Sequence, residues 1–216
     1  MARARRRAFC ELRAEGVSEV HPAPVLRLPL VARLTSTMDR PRAVFLLTGI
    51  MASGKSTVAQ LLAERLPRAA HVRGDAFRRM IVTGRREMTP GAGPEAEAQL
   101  ELRYRLAATA ADAYFRAGFS VVVQDVVLGR WLPRFVDLVE GRPLLVVVLA
   151  PRPEVVEARE ANRSKTGYGA WSAEQLDRSM REETPRLGLW IDSSGQTPEQ
   201  TVEEILERAW DEAAVD

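Results

Sequence analysis

One short segment of the 216-residue chain has the residue types and the spacing of a polyphosphate-binding site. The segment runs from Gly49 through Gly54, Lys55 and Ser56, and it fits G-x-x-x-x-G-K-[ST] at every position. Glycines let the backbone bend so that amide N–H groups converge on phosphate oxygens, and a helix that starts there adds its positive dipole end. Lys55 is expected to reach the β- and γ-phosphates of a nucleoside triphosphate, and the Ser56 hydroxyl to ligate Mg²⁺.

The nucleotide is predicted to be ATP, bound with Mg²⁺. The sequence has no N-K-x-D motif for guanine, and its only D-x-x-G starts at Asp192, far from the position of a GTPase switch. A glycine-rich turn without a ligand is the alternative interpretation of the segment. The predicted nucleotide-binding residues are Gly49, Ala52, Ser53, Gly54, Lys55, Ser56 and Thr57.

Two aspartates each follow a predicted strand, where ligands bind in parallel sheets. Asp75 would accept a proton from an attacking hydroxyl, or it would only cap a helix that begins at Ala76. Asp125 would hold a Mg²⁺-bound water, or contact the substrate and compete with Asp75 for the role of base, or make only a structural hydrogen bond. The sequence leaves these roles open.

Arginines are expected to neutralise the negative charge of a phosphoryl-transfer transition state. Arg159 and Arg163 are four residues apart on a predicted helix, so they share a face. They lie within a predicted lid that extends from Arg152 to Tyr168. The alternative is that both arginines are solvated surface residues. Surface arginines are expected in this chain, because all 31 basic residues except Lys55 and Lys165 are arginines.

Strands are predicted to alternate with helices along the chain, which implies a parallel sheet with helices on both faces. The fold class is therefore α/β: a three-layer α/β/α arrangement with a parallel five-stranded sheet, of the P-loop NTPase type with a small lid. In the long helix over residues 94–117, the expected buried residues are Leu100, Leu102, Leu106, Ala110 and Tyr114. The predicted strands are 43–48, 71–73, 119–124, 144–150 and 189–192, and the other predicted helices are 54–66, 154–164, one opening at 172 and one opening at 197.

Three segments together resemble the P-loop kinase superfamily: the phosphate loop, His71-Val-Arg-Gly-Asp-Ala-Phe-Arg78, and Val121-Val-Val-Gln-Asp-Val-Val-Leu-Gly129. They are most similar to chloramphenicol phosphotransferase-like and zeta-toxin-like proteins, often labelled AAA-family ATPases. The G-D-x-x-R piece also resembles adenylyl-sulfate kinases and polynucleotide 5′-kinases. The resemblance implies that Asp75 is the base and that Arg78 holds substrate. The loop after Arg79 departs from the chloramphenicol enzyme, which argues against chloramphenicol as substrate.

The composition of the chain limits the classes of protein to which it could belong. The net charge of +2 gives no general argument for nucleic-acid or membrane binding, and no apolar stretch is long enough to span a bilayer. The single Cys10 excludes an internal disulfide framework. A cytoplasmic protein is predicted, with a flexible extension over residues 1–40 and a kinase domain over residues 41–216.

The predicted function is transfer of the γ-phosphate of ATP to a hydroxyl of a small molecule, such as an antibiotic or a nucleoside-like compound. One alternative is a polynucleotide 5′-hydroxyl kinase, in which arginines near Asp75 would line a basic groove. An ATP-binding regulatory protein without transfer activity is an alternative of another class. The sequence does not predict an oligomeric state.

Overall fold

The computed structural model describes residues 40–161 and 171–216, all of which belong to one unit that spans Thr35–Asp216. The predicted extension over residues 1–40 lies outside this range except for Arg40. Residues 162–168 of the predicted lid, including Arg163, also lie outside the described residues.

Five parallel strands form the predicted sheet, in the order β2-β3-β1-β4-β5. The continuous apolar runs of the central strands are covered on both faces, as expected for a parallel sheet. The prediction of five strands omitted a sixth: β6 pairs antiparallel with the start of β4. The strands are β1 Val44–Gly49, β2 Ala69–Arg73, β3 Ser120–Gln124, β4 Leu144–Leu149, β5 Leu189–Ile191 and β6 Ala214–Val215.

Helices connect the strands and cover the sheet. The helices predicted to open at 172 and 197 are present, and each begins with a capping box: Ser172 and Thr197 each cap a helix whose third residue is a glutamine that bonds back to the cap. The sequence prediction had no helix at α4, and α6 continues directly into a π-helical turn, Ser179–Glu183. The helices are α1 Lys55–Arg65, α2 Gly74–Arg79, α3 Pro94–Arg116, α4 Trp131–Leu138, α5 Pro153–Ala161, α6 Ala173–Arg178 and α7 Pro198–Glu212.

Each face of the sheet has its own apolar core, which confirms the three-layer arrangement. On one face α1 and α7 contribute Leu62 and Ile205, which have no solvent exposure. On the other face α3 and α4 contribute Ala107 and Phe135, which are equally buried. In the described residues, no helix has the length and apolarity needed to cross a bilayer.

The predicted buried face of α3 is wrong at three of its five residues, whereas Leu100 and Ala110 are partly buried against the core. Leu102, Leu106 and Tyr114 are exposed, and the helix instead packs through small residues and one aromatic ring. Alanines let the backbone of α3 approach β2 and β3 closely, while Leu102 and Leu106 remain exposed. The buried residues of α3 are Ala96, Tyr104, Ala107, Ala108, Ala111 and Asp112.

A buried threonine links the end of β1 to the segment that follows β3. Thr48 Oγ1 donates to the carbonyl oxygen of Val127 at 3.0 Å and accepts from the Val127 N–H at 2.9 Å. One side chain thus satisfies both backbone groups of a residue that β-pairing no longer reaches. The link holds residues 125–129 beside the end of the phosphate-loop strand.

Replacing Thr48 by Val is expected to lower the free energy of unfolding by about 1–3 kcal/mol, because the Val127 N–H and C=O lose their buried partner. Urea denaturation measures the loss. Thr83→Val, at an exposed position in the loop after α2, is the matched control and should leave the midpoint unchanged. Equal midpoints for the two variants would contradict the proposed link.

Candidate active site

The phosphate loop, residues 49–57, leaves β1 and turns directly into α1. Gly49 and Gly54 have φ angles of +142° and +95°, and Ala52 has a φ of +57°. A Cβ on Gly49 would also collide with the backbone oxygen of Leu149, so glycine is required there on two grounds. Gly54 is the N-cap of α1 and provides no side chain to cap it. The first turn of α1 therefore has no side-chain cap, which is the arrangement that an anion-binding helix start requires.

Two cationic side chains lie against this loop. Lys55 is buried, and its Nζ donates to the carbonyl oxygen of Ile50 at 2.5 Å and to Ser53 Oγ at 3.4 Å. Arg159, from α5, donates to the carbonyl oxygens of Ser53 at 3.4 Å and Ser193 at 3.1 Å. Of the cationic residues predicted around the phosphates, Lys55 and Arg159 are described by the structure, and both contact this loop. Ser56 and Thr57 are exposed at the start of α1.

Asp75 lies in the first turn of α2 rather than at its cap. The helix begins at Gly74 with Arg73 as N-cap, so capping does not explain this aspartate. Its side chain is 32% exposed, and Oδ2 accepts from Arg79 at 2.5 Å. The other oxygen, Oδ1, is buried without a hydrogen-bond donor, and Arg73 Nε is 3.9 Å away. Asp75 therefore retains an uncommitted acceptor oxygen.

Asp125 is fully buried and paired with an arginine that the sequence prediction missed. Arg103 of α3 holds both carboxylate oxygens, with Nε 2.7 Å from Oδ2 and a second guanidinium nitrogen on Oδ1. The N–H of Val126 also donates to Oδ1, at 2.7 Å. Burial lowers the pKa of the Arg103 guanidinium, which stays charged because arginine titrates so far above neutrality. The predicted metal and substrate roles of Asp125 would require it to exchange part of this pairing.

Gly74 makes room for that buried pair. A Cβ at this position would collide with the Asp125 carboxylate. The turn from β2 into α2 can therefore pass directly over Asp125 only because residue 74 has no side chain. This contact brings Asp75, one residue later, to the same region as the end of β3.

Hydrogen bonds from α3 and from Trp171 hold the loop between α2 and α3 in place. Gln99 accepts from the Arg86 N–H at 2.8 Å and donates to the Gly84 carbonyl at 2.9 Å. The indole Nε1 of Trp171 donates to the carbonyl of Met88 at 2.8 Å. These bonds fix the loop over a cavity beside the phosphate loop.

This cavity has a volume of about 1130 Å³ and joins most of the predicted site residues. In the strand order β2-β3-β1-β4-β5, the phosphate loop and Arg159 line the cavity beside β1 and β4, and Asp75, Arg78 and Asp125 line it beside β2 and β3. We call these two parts of the lining its two ends. Arg78 is expected to hold substrate, and its guanidinium forms an ion pair with Glu87. The described residues that line both ends also include Gln124, Arg103, Tyr104, Trp131 and Trp171.

A protein-family model described as "AAA domain" matches residues 44–185, which include the phosphate loop, both aspartates and α3. The chain belongs to this AAA-domain family. No protein with a curated description matches the sequence at a significant level.

Solved structures share the fold of this AAA-domain protein, and several are kinases. An unliganded sugar kinase from Janibacter sp. has 24% identity and a TM-score of 0.58, over 77% of this chain and 93% of its own. The Deinococcus radiodurans tunicamycin resistance protein has 17% identity and a TM-score of 0.58, over 82% and 100%. The Mycobacterium tuberculosis APS kinase in complex with AMPPNP and APS has 18% identity and a TM-score of 0.56, over 78% and 98%. The expected resemblance to the P-loop kinase superfamily is confirmed at the level of the fold.

Sequence reasoning missed two polar residues of the cavity, Arg103 and Gln124. Arg103 is one of many arginines on a long helix, and only its contact with Asp125 distinguishes it. Gln124 ends the apolar run of β3, which was a signal that a polar group is needed there. Its Oε1 is buried and has no hydrogen-bond donor in the AAA-domain structure.

The residues beside the phosphate loop fit a magnesium ion that is bound mainly through nucleotide oxygens and water. Mg²⁺ keeps several waters and takes few protein ligands in nucleotide sites. Ser56 offers an exposed hydroxyl next to Lys55, whereas Asp125 is engaged with Arg103. Among the residues with a described placement, no group of three or more His, Cys, Asp or Glu side chains forms a separate metal site.

Gly74→Ala is expected to destabilise this AAA-domain protein by about 1–3 kcal/mol, because the added methyl group must displace the Asp125 carboxylate or shift α2. Gly93→Ala is the control, since a Cβ there meets no atom within 4 Å and its φ is −79°. Comparing the urea midpoints of the two variants tests the contact. A Gly74→Ala protein as stable as Gly93→Ala would show that the turn does not pass over Asp125 this closely.

Proposed function

We propose that this chain is a Mg·ATP-dependent kinase that transfers the γ-phosphoryl group to a hydroxyl of a small molecule. The observation that carries the proposal is one cavity with the phosphate loop at one end and the Asp75 carboxylate at the other. A phosphoryl donor and an acceptor hydroxyl would meet in such a space, out of bulk water. The fold is shared with kinases, one of which is described in complex with AMPPNP and APS together.

The nucleotide would bind with its β- and γ-phosphates on the phosphate loop. The open first turn of α1 provides amide donors and a positive dipole end. Lys55 would exchange its bond to the Ile50 carbonyl for phosphate oxygens. Arg159 is already held against the loop by two backbone carbonyls, so its guanidinium is pre-positioned beside the transferring group.

The acceptor hydroxyl would attack the γ-phosphorus in line with the leaving oxygen. The new bond joins the acceptor oxygen to the γ-phosphorus, the bond from that phosphorus to the β–γ bridging oxygen breaks, and ADP leaves. Asp75 takes the hydroxyl proton through its uncommitted oxygen. Arg79 hydrogen-bonds Oδ2, whereas Arg73 Nε lies 3.9 Å from Oδ1, beyond hydrogen-bond distance.

Ser56 would hold the magnesium ion, which supplies charge neutralisation at the β- and γ-phosphates when it is bound. Lys55, Arg159 and the predicted Arg163 would add fixed positive charge around the same group. The protein's own contribution is therefore positioning and electrostatic stabilisation, which dominate catalysis of phosphoryl transfer.

Lys55→Ala is expected to reduce kcat/KM for phosphoryl transfer about 100- to 1000-fold, the range for loss of one charged donor in a transition-state site. Turnover is measured as ADP release in the presence of an identified acceptor. Circular dichroism and urea denaturation of the variant check that the fold is intact. Unchanged turnover would remove the phosphate loop from the reaction.

Asp75→Asn is expected to lower kcat about 100-fold or more while leaving the affinity for Mg·ATP nearly unchanged, because only proton removal is lost. Calorimetry gives the ATP affinity, and mass spectrometry of product gives the rate. Asp137→Asn, an exposed aspartate on α4, is the matched control.

The same experiment separates the alternatives. Equal loss of affinity and turnover would indicate a structural role for Asp75. Retained ATP binding without any phosphorylated product, in the wild type as well, would favour a regulatory nucleotide-binding protein. Salt-sensitive phosphorylation of oligonucleotide 5′ ends would favour the polynucleotide kinase.

A further inference from the structure

The two ends of the cavity differ in how their cationic side chains are bonded. At the phosphate-loop end, Arg159 donates to backbone carbonyls and has no carboxylate partner within the described residues. At the end that would receive the acceptor, every lining arginine of the described chain forms an ion pair with a carboxylate. The pairs are Arg78–Glu87, Arg86–Glu95 at 3.1 Å, Arg103–Asp125 and Arg130–Glu97 at 2.7 Å.

Two aromatic side chains at the acceptor end already donate their hydrogen bonds to backbone carbonyls. The Tyr104 hydroxyl donates to the Val126 carbonyl at 2.6 Å, and the Trp171 indole N–H donates to the Met88 carbonyl at 2.8 Å. These rings therefore present apolar faces and edges to the cavity rather than hydrogen-bonding groups. Aliphatic side chains continue the same wall: Leu100, Val126, Leu128 and Leu176.

Among the described residues that line the cavity, the buried side-chain polar atoms without a hydrogen-bond partner are both acceptors. Asp75 Oδ1 and Gln124 Oε1 are both buried without a donor, and both residues line the cavity. Strand pairing places Gln124 opposite Arg73, two residues before Asp75, so the two acceptors belong to one region. A buried acceptor without a donor costs free energy, which a ligand hydroxyl or N–H would recover.

We propose, on the basis of the kinase function above, that the acceptor is an uncharged molecule with an apolar or aromatic part and at least two hydrogen-bond donors. One donor is the hydroxyl that is phosphorylated at Asp75, and the second bonds to Gln124. A sugar phosphate or a polynucleotide end does not match this end of the cavity, because the guanidinium groups that an anion requires are already neutralised.

Matched pairs of acceptors test the proposal directly. Nucleosides and aromatic diols are compared with the same compounds carrying a phosphate monoester, with full-length protein and Mg·ATP at low ionic strength. Phosphorylation is expected in the uncharged set, with kcat/KM at least about tenfold above that of the phosphate-bearing partner. A preference for the anionic member, lost as salt is raised, would overturn the inference and leave the kinase proposal standing.

Glu87→Gln provides a second test that needs no turnover. This substitution releases Arg78 and Arg85, both of which pair with Glu87 on an exposed surface, so the fold should tolerate it. The probe is a labelled hexathymidylate with a free 5′ hydroxyl, titrated by fluorescence anisotropy in the presence of Mg·ADP. The variant is expected to bind the probe about fivefold more tightly than the wild type does.

Glu101→Gln is the matched control, because Glu101 pairs with Arg105 and Arg134 and does not line this cavity. It should bind the probe as weakly as the wild type. Tight, salt-dependent binding by the wild type, or no gain in Glu87→Gln, would contradict neutralisation as the basis of selectivity. Failure of the kinase proposal is distinct from these results, since it would be seen as absence of phosphoryl transfer to every acceptor.

Discussion

Asp125 places a negative charge where there is no solvent, and the ligand-binding end of the sheet is organised around that charge. A buried ion left without its partner costs about 3–5 kcal/mol, so the Arg103 guanidinium has to be brought to it from α3. The Val126 N–H provides a further donor, and residue 74 must lack a side chain. As a result α2, α3 and the segment after β3 are fixed relative to one another. That arrangement also sets the position of Asp75, because Asp75 directly follows Gly74.

The phosphate loop was predictable because its physical requirements are local. Positive φ angles at Gly49 and Gly54, a strand before the turn and a helix after it are all encoded within about a dozen consecutive residues. The adjacency of β1 and β3, and hence of the loop and Asp125, follows from the usual strand order of this fold and is observed. The family match and the shared fold of known kinases agree with that prediction.

The remainder of the cavity depends on contacts between distant residues, which periodicity does not reveal. Arg103 meets Asp125 across 22 positions of sequence, and nothing near it in the chain distinguishes it from the other arginines of α3. Three of the five residues assigned to the buried face of that helix, Leu102, Leu106 and Tyr114, are exposed, because close approach to the sheet selects alanines. The hydrophobicity of a side chain was therefore a poor predictor of burial on α3, because the space between the helix and the sheet decides which side chains fit.

The hydrogen bond from Trp171 to the Met88 carbonyl makes the fluorescence of this indole sensitive to what occupies the cavity. The indole lines the cavity and joins the loop before α3 to the residue that precedes the cap of α6. A molecule that settles against this wall changes the polarity around the ring, and displacement of the carbonyl would break the bond to its N–H. The intrinsic tryptophan emission therefore serves as a reporter of occupancy at this end without any attached label. The difference between the wild type and Trp171→Phe isolates the part that comes from Trp171 rather than from Trp131 in the same lining.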